Sequence, residues 1–210
     1  SWEVKYPKLI GVHLKGEMKG WTAPKDIICY LCGVLTTKGG TNRIVEYFGP
    51  GARTISCTGK ATITNMGAEL GATTSVFPFD ERMAVYLNST QRSELTEIAR
   101  KHQNLLEADA EVERSPEKYF DQIVEIDLSK LEPQIVGPHS PDVARGVSQL
   151  GSDIKKNGWP DNLTAALIGS CTNSSYEDIS RAVDVATQAK KKGLRIQIPF
   201  LVTPGSDQVF

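Results

Sequence analysis

The chain has 210 residues, 40% of them hydrophobic and 23% charged, with a formal net charge of −1. That composition is ordinary for a globular protein of one or two domains, and a charge so near zero gives no electrostatic pull toward nucleic acid or a membrane surface. No apolar run approaches the ~20 residues of a membrane span, the first residues lack the basic-then-apolar pattern of a secretory signal, and four cysteines are too few for a disulfide scaffold.

The stretch "PKLIGVHLKGEM" alternates at the strand period, with Leu9 and Val12 flanking Gly11. Thr22 stands where a helix cap would, Pro24 follows in the first turn, and Ile27, Ile28, Leu31, Val34 and Leu35 fall at helical spacing. "NRIVEYFG" reads as a strand and "GPGAR" as a turn. "TISCTGKATITNMGAELGATT" predicts a loop entering a helix that stops at Gly71, and "TTSVFPF" a short strand closed by Pro78. Residues 80–107 predict a helix in two pieces, broken near Asn88–Thr90. The acidic stretch 107–118 reads as a surface loop, and "YFDQIVEIDLSKLEP" as a strand. "QIVGPHSPDVARG" carries the prolines and glycines of a linker and puts a domain boundary near residue 130.

After it come a helix ("VSQLGSDIKKNG"), the strand "NLTAALIGS", the helix "YEDISRAVDVATQAKKKG" and the strand "RIQIPFLVTP". Strand–helix–strand order predicts an α/β fold with parallel pairing through right-handed crossovers. "SWEVKYP" leads in without a cap, and "TPGSDQVF" is a strand-to-helix turn with no helix after it. Both are expected of a piece of a longer polypeptide.

Cys171 is placed where chemistry would be. It follows a strand ending in Leu167 and Ile168, and ligands of open parallel sheets sit at the carboxyl ends of strands. Ser175 and Asp178 have the spacing of a capping box for the next helix. A thiol there faces helix N-terminal amides, which favour the thiolate, the form that attacks electrophiles or binds iron. A capped turn holding a small semi-buried cysteine accounts for the same spacing. Cys29 and Cys32 form a CxxC, but inside a helical apolar pattern and with no second pair to complete a zinc site, which favours the core. Cys57 has no partner nearby. His13, His102 and His139 share no ligand spacing. In "TNMGAEL", Asn65 and Glu69 are i and i+4 and would share a helix face with Thr62 nearby, Met66 and Leu70 pointing to the core. An amide and a carboxylate on one face can hold a hydroxyl or a water; a solvated helix face has the same pattern.

Several stretches together are similar to one family. "GWTAPKDII", "LTTKGGTNRIVEYFGPG", "SCTGKATITNMGAELGATTSVFPFD" and "LIGSCTNSSYED" resemble the aconitase family, and within it the mitochondrial type. The similarity runs through nearly the whole chain and weakens over 88–120; "CYLC" is not part of the family pattern. The resemblance implies three-layer α/β domains, with a mostly parallel sheet flanked by helices. Residues 1–8 would be the tail of a preceding domain, 9–130 the second aconitase domain, and 131–210 the start of the next. It further implies a [4Fe-4S] cluster on three cysteines, one iron left open as a Lewis acid in the interconversion of citrate and isocitrate through cis-aconitate.

Cys171 matches the first cluster cysteine; the other two belong to a later CxxC beyond Phe210. Glu69 matches a glutamate that approaches the open iron's water or hydroxyl, and Asn65 a polar neighbour in that site. The partners implied are the three tricarboxylates and the remaining domains of the same polypeptide, in a monomeric enzyme of the mitochondrial matrix with no membrane partner. Sister hydro-lyases (homoaconitase, isopropylmalate isomerase) share the SCTN and NM-x-x-E elements, but "SSYED" and "TTSVFPFD" are closer to aconitase. A cluster-free RNA-binding relative is opposed by the near-zero net charge, and a thiol–disulfide module by the setting of Cys29 and Cys32.

Overall fold

Residues Lys8–Lys15 form strand β1, in which Ile10, Val12 and Leu14 are fully buried, the alternation of a strand with one face in the core. The computed structural model describes residues 3, 5–170 and 172–210. After β1 come α1 (Pro24–Leu35), β2 (Arg43–Phe48), α2 (Cys57–Asn65), a 3-10 turn (Met66–Leu70) and β3 (Thr74–Val76). Then follow α3 (Glu81–Ser89), α4 (Ser93–Lys101), α5 (Ala110–Arg114) and β4 (Gln122–Asp127). All pairings in this sheet are parallel and its order is β3-β2-β1-β4. The register sets Ile10 beside Val45, Val12 between Tyr47 and Val124, and Leu14 beside Ile126. That makes one apolar sheet face. Ile27, Ile28, Leu31 and Leu35 of α1, Ile63 of α2, and Met66 and Leu70 join it in a single core. The expected α/β architecture with a parallel sheet and flanking helices is the one that forms. On the opposite face His13 stacks on Phe48 at 4.8 Å and lies 3.7 Å from Glu125, a structural histidine whose pKa burial lowers.

Several local expectations are corrected by long-range contacts. Thr22 does not cap α1. Ala23 is the N-cap, Asp26 Oδ2 accepts its N–H at 2.7 Å, and Thr22 Oγ1 donates to the Leu131 carbonyl at 2.9 Å. The other Asp26 oxygen accepts from the Gln134 N–H at 2.7 Å. That bond bears on the stretch read as a linker. Its residues form two antiparallel strands, β5 (Gln134–Val136) and β6 (Ala144–Gly146), and both pack on α1. The prolines and glycines there shape the connection between the two strands, where Gly137 and His139 have positive φ. The first compact unit extends to Ser148, and the second runs from Gln149 to Phe210. The acidic stretch is not all loop either, since α5 and a 3-10 turn at Pro116–Lys118 lie within it.

In the second unit α6 (Leu150–Asn157) precedes β7 (Ala166–Ile168), α7 (Tyr176–Lys191) and β8 (Phe200–Val202). β7 and β8 pair in parallel, as strand–helix–strand order predicts. The strand expected over "RIQIPFLVTP" narrows to Phe200–Val202. No helix of the described residues is long and apolar enough to cross a membrane.

Cys29 and Cys32 are core residues, 4% and 0% exposed on the inner face of α1. Burial pushes the Cys29 thiol up to about 11 and that of Cys32 to about 12, and the charge of Glu69 adds to both. Raised thiol pKa values favour the protonated, unreactive form. Cys29→Ala and Cys32→Ala should each cost about 1–2 kcal/mol of stability through a small cavity and leave unchanged the iron content that the resemblance implies for the full-length protein. Thermal melts with iron analysis check this, and iron loss in either variant would mean that the pair had been misassigned. Because both folded values lie above the ordinary 9, the stability these thiols contribute is present below pH 9 and is lost as pH rises toward the folded values.

Candidate functional site

Asn65 is the last residue of α2, with helical φ and ψ of −59° and −43°. The next five residues wind as a 3-10 turn that ends at Leu70 and is closed by Gly71 in the left-handed conformation. Gly71 stops the segment as expected. The winding before it differs, because the α-helix does not reach Glu69. A 3-10 turn has roughly three residues per turn instead of about 3.6, so Asn65 and Glu69 do not keep the alignment of an unbroken helix face. Their neighbours behave as expected: Thr62, Met66 and Leu70 are buried, while Asn65 and Glu69 are both exposed. The hydrophobic anchors thus present an amide and a carboxylate to solvent from one short segment. That segment lies before β3, at the amino end of the strand.

Cys171 lies outside the described residues. The chain on either side of it is tightly tied. Ser170 has a positive φ of 72°, and its N–H donates to Thr203 Oγ1 at 3.2 Å. A Cβ added at Gly169 would stand 1.9 Å from that same Oγ1, so only glycine lets this backbone pass so close to the end of β8. The Gly205 N–H donates to the Ser174 carbonyl at 2.9 Å. Ser175 caps α7 through the expected box: its Oγ accepts from the Asp178 N–H at 3.2 Å, and Asp178 Oδ2 accepts from the Ser175 N–H at 3.3 Å. Asn173 Nδ2 donates to Asp178 Oδ1 at 3.1 Å, which leaves Asn173 Oδ1 buried without a partner among the described residues. The expected strand and capped helix, β7 and α7, are thus present among the described residues. Asn65 and Glu69 belong to the first unit, and this turn to the second.

The first unit also holds a cleft of about 300 Å³ at the carboxyl ends of β2 and β3. Asn65 and Glu69 do not line it; Lys60, Phe77 and Asp80 do. Lys60 Nζ is ion-paired to Asp80 Oδ2, with only 3% of the lysine side chain exposed, and lies 5.8 Å from the Phe77 ring centre. Burial lowers the Lys60 pKa, against the opposing pull of Asp80. Asp80 also caps α3 by accepting the Met83 N–H at 3.2 Å. Sequence reading missed this pair; the available signal was a lysine between Gly59 and the inward-facing Thr62 and Ile63. Asp80→Asn keeps the cap and unpairs a buried cation, which should destabilise the fold by about 3 kcal/mol. Lys60→Met with Asp80→Asn should recover most of that loss in thermal melts, and a double variant as unstable as Asp80→Asn alone would show that the pair is not the cause.

An open parallel sheet flanked by helices defines an α/β protein of the open-sheet class. Residues 1–210 match the aconitase family (aconitate hydratase), and the chain belongs to that family. It is 53% identical over 208 residues to the mitochondrial aconitate hydratase of Schizosaccharomyces pombe, and 54% identical over 208 residues to that of Emericella nidulans. It is also 51% identical over 211 residues to the mitochondrial homocitrate dehydratase of Saccharomyces cerevisiae. Each of these matches covers 99% of this chain and 26% of the relative, so the chain spans about a quarter of the length of the curated relatives it matches.

Proposed function

We propose that this chain is part of an aconitate hydratase, an iron–sulfur hydro-lyase that interconverts citrate and isocitrate through cis-aconitate in the tricarboxylic acid cycle of the mitochondrial matrix. The observation that carries the reading is the family match over residues 1–210, together with the 53% identity to a relative named mitochondrial aconitate hydratase. In this reading residues 9–130 belong to the second domain of the enzyme and 131–210 open the third. The remaining domains of the same monomeric polypeptide are the partners of this segment.

The donor chemistry fits a [4Fe-4S] cluster in part. Among the described residues no group of three or more His, Cys, Asp or Glu could hold a metal ion. In this reading Cys171, ahead of the capped helix α7 whose first-turn amides favour a thiolate, is the cluster ligand this chain supplies. The other two cysteines are proposed to lie beyond Phe210. When bound, the cluster supplies a Lewis-acidic iron that polarises the substrate hydroxyl and carboxylate. Glu69 presents an exposed carboxyl group that in its protonated form would give a proton to the hydroxyl oxygen as the C–O bond breaks, leaving a carboxylate that takes a proton from water when water adds to the double bond. Asn65 supplies an amide that can donate to a substrate oxygen and accept from a hydroxyl.

A second reading, a homocitrate hydro-lyase, is favoured by the 51% identity to a homocitrate dehydratase. Steady-state assays of the full-length enzyme on citrate and on homocitrate separate the two. Turnover of citrate at a higher kcat/KM is expected, and a preference for homocitrate would overturn the aconitate reading.

A further inference from the structure

The 3-10 turn that carries Glu69 is held less firmly by its own hydrogen bonds than an α-helix would be, because their geometry is poorer. Its buried residues anchor it from below, but its level along the sheet is set elsewhere. The Gly40 N–H, in the loop between α1 and β2, donates to the Leu70 carbonyl at 2.8 Å, one residue after Glu69. Thr41 bridges to Ala72, and the Thr73 N–H donates to the Arg43 carbonyl at 2.9 Å. Gly40 is buried, and a Cβ there would stand 2.8 Å from both the Leu70 oxygen and the Ala72 nitrogen, and 2.9 Å from the Ala72 Cα. These are backbone atoms, so no rotamer change relieves the clash. A second close approach, Gly67 over Ser75 Oγ at 2.4 Å from an added Cβ, is softer because a serine hydroxyl can rotate away.

We propose that Gly40 is a positioning residue for Glu69. By passing its bare α-carbon against the backbone of Leu70 and Ala72 while holding the Leu70 carbonyl, it sets the height at which the Glu69 carboxylate meets the substrate oxygen. This rests on the proposed role of Glu69. Gly40→Ala must lift the end of the turn by several tenths of an ångström, and Glu69 moves with it. The Met66 and Leu70 anchors remain, so the enzyme still folds.

The test is a double-mutant cycle in the full-length enzyme, with kcat, KM, iron content and melting temperature read on each preparation. Gly40→Ala should lower kcat by about 10-fold, below the ~100-fold of a full ångström misplacement, with KM within about threefold and iron content at the parent level. Combined with Glu69→Gln it should cost almost nothing further, because both changes remove the same contribution. A merely structural role predicts losses that multiply. Unchanged kcat in Gly40→Ala, or multiplying losses in the double variant, overturns the inference while leaving the Glu69 assignment intact. Normal turnover in Glu69→Gln instead removes the assignment on which the inference stands.

Discussion

Cys171→Ser, made in the full-length enzyme, should abolish turnover and iron content together. A thiolate is a soft donor suited to iron–sulfur clusters, and a neutral hydroxyl is a poor one. On the proposed reading the cluster is held on three cysteines and has no spare ligand, so losing one would empty the site instead of weakening it. The surroundings of position 171 do not depend on the thiol: the Ser175–Asp178 cap and the Ser170–Thr203 bond are made by other groups. The variant should therefore fold and melt near the parent apoenzyme. Iron and sulfide analysis, visible absorption and a hydratase assay on one preparation decide the matter. A brown, iron-replete Cys171→Ser enzyme would return Cys171 to the reading of a plain cysteine in a capped turn.

Glu69→Gln should leave the cluster in place and lower kcat by about 10²-fold or more, the scale of losing an acid–base or water-positioning group. Glutamine keeps the shape and removes the charge and the basicity, so Met66 and Leu70 should stay buried as they are. Iron content should remain near the parent value, since in the proposed reading thiolates and not Glu69 hold the cluster. Glu94 and Glu97 of α4 are exposed as well. Changed in the same way, they should alter stability and turnover little, within about 0.5 kcal/mol for surface positions. This contrast separates a working carboxylate from a solvated one. Equal turnover in Glu69→Gln and Glu94→Gln would place Glu69 with the ordinary surface.

The family could be read from "NMGAELGATTSVFP" and "GSCTNSSYED" because those blocks are contiguous in the chain and specific. The elements could be read for a different reason. Ile10, Val12 and Leu14 alternate at the strand period, and Ile27, Ile28, Leu31 and Leu35 recur at the helical one, so local spacing alone names the face that is buried. The same logic assigned Cys29 and Cys32 to the core. The Ser175–Asp178 box was equally legible, since both partners sit within one helical turn.

What the sequence by itself determined was thus what short-range periodicity and short motifs encode: the parallel α/β class, most of its elements, the capped turn after Cys171 and the family. Only the tertiary structure decided where groups far apart in the chain find partners. Thr22 looked like a cap and instead bonds Leu131, and the proline-rich stretch looked like a linker and instead pairs as two strands held by Asp26 through Gln134. Lys60 met Asp80, and Gly40 met Leu70, for the same reason. Most buried hydrogen-bonding groups find a partner wherever the packed chain brings one, and that partner need not be near in sequence. The 3-10 winding at Glu69 belongs here too. The residues from Met66 to Leu70 could have continued α2, but the Leu70 carbonyl is taken by the Gly40 N–H and the Gly67 carbonyl by the Ala72 N–H, and these bonds close the turn before β3.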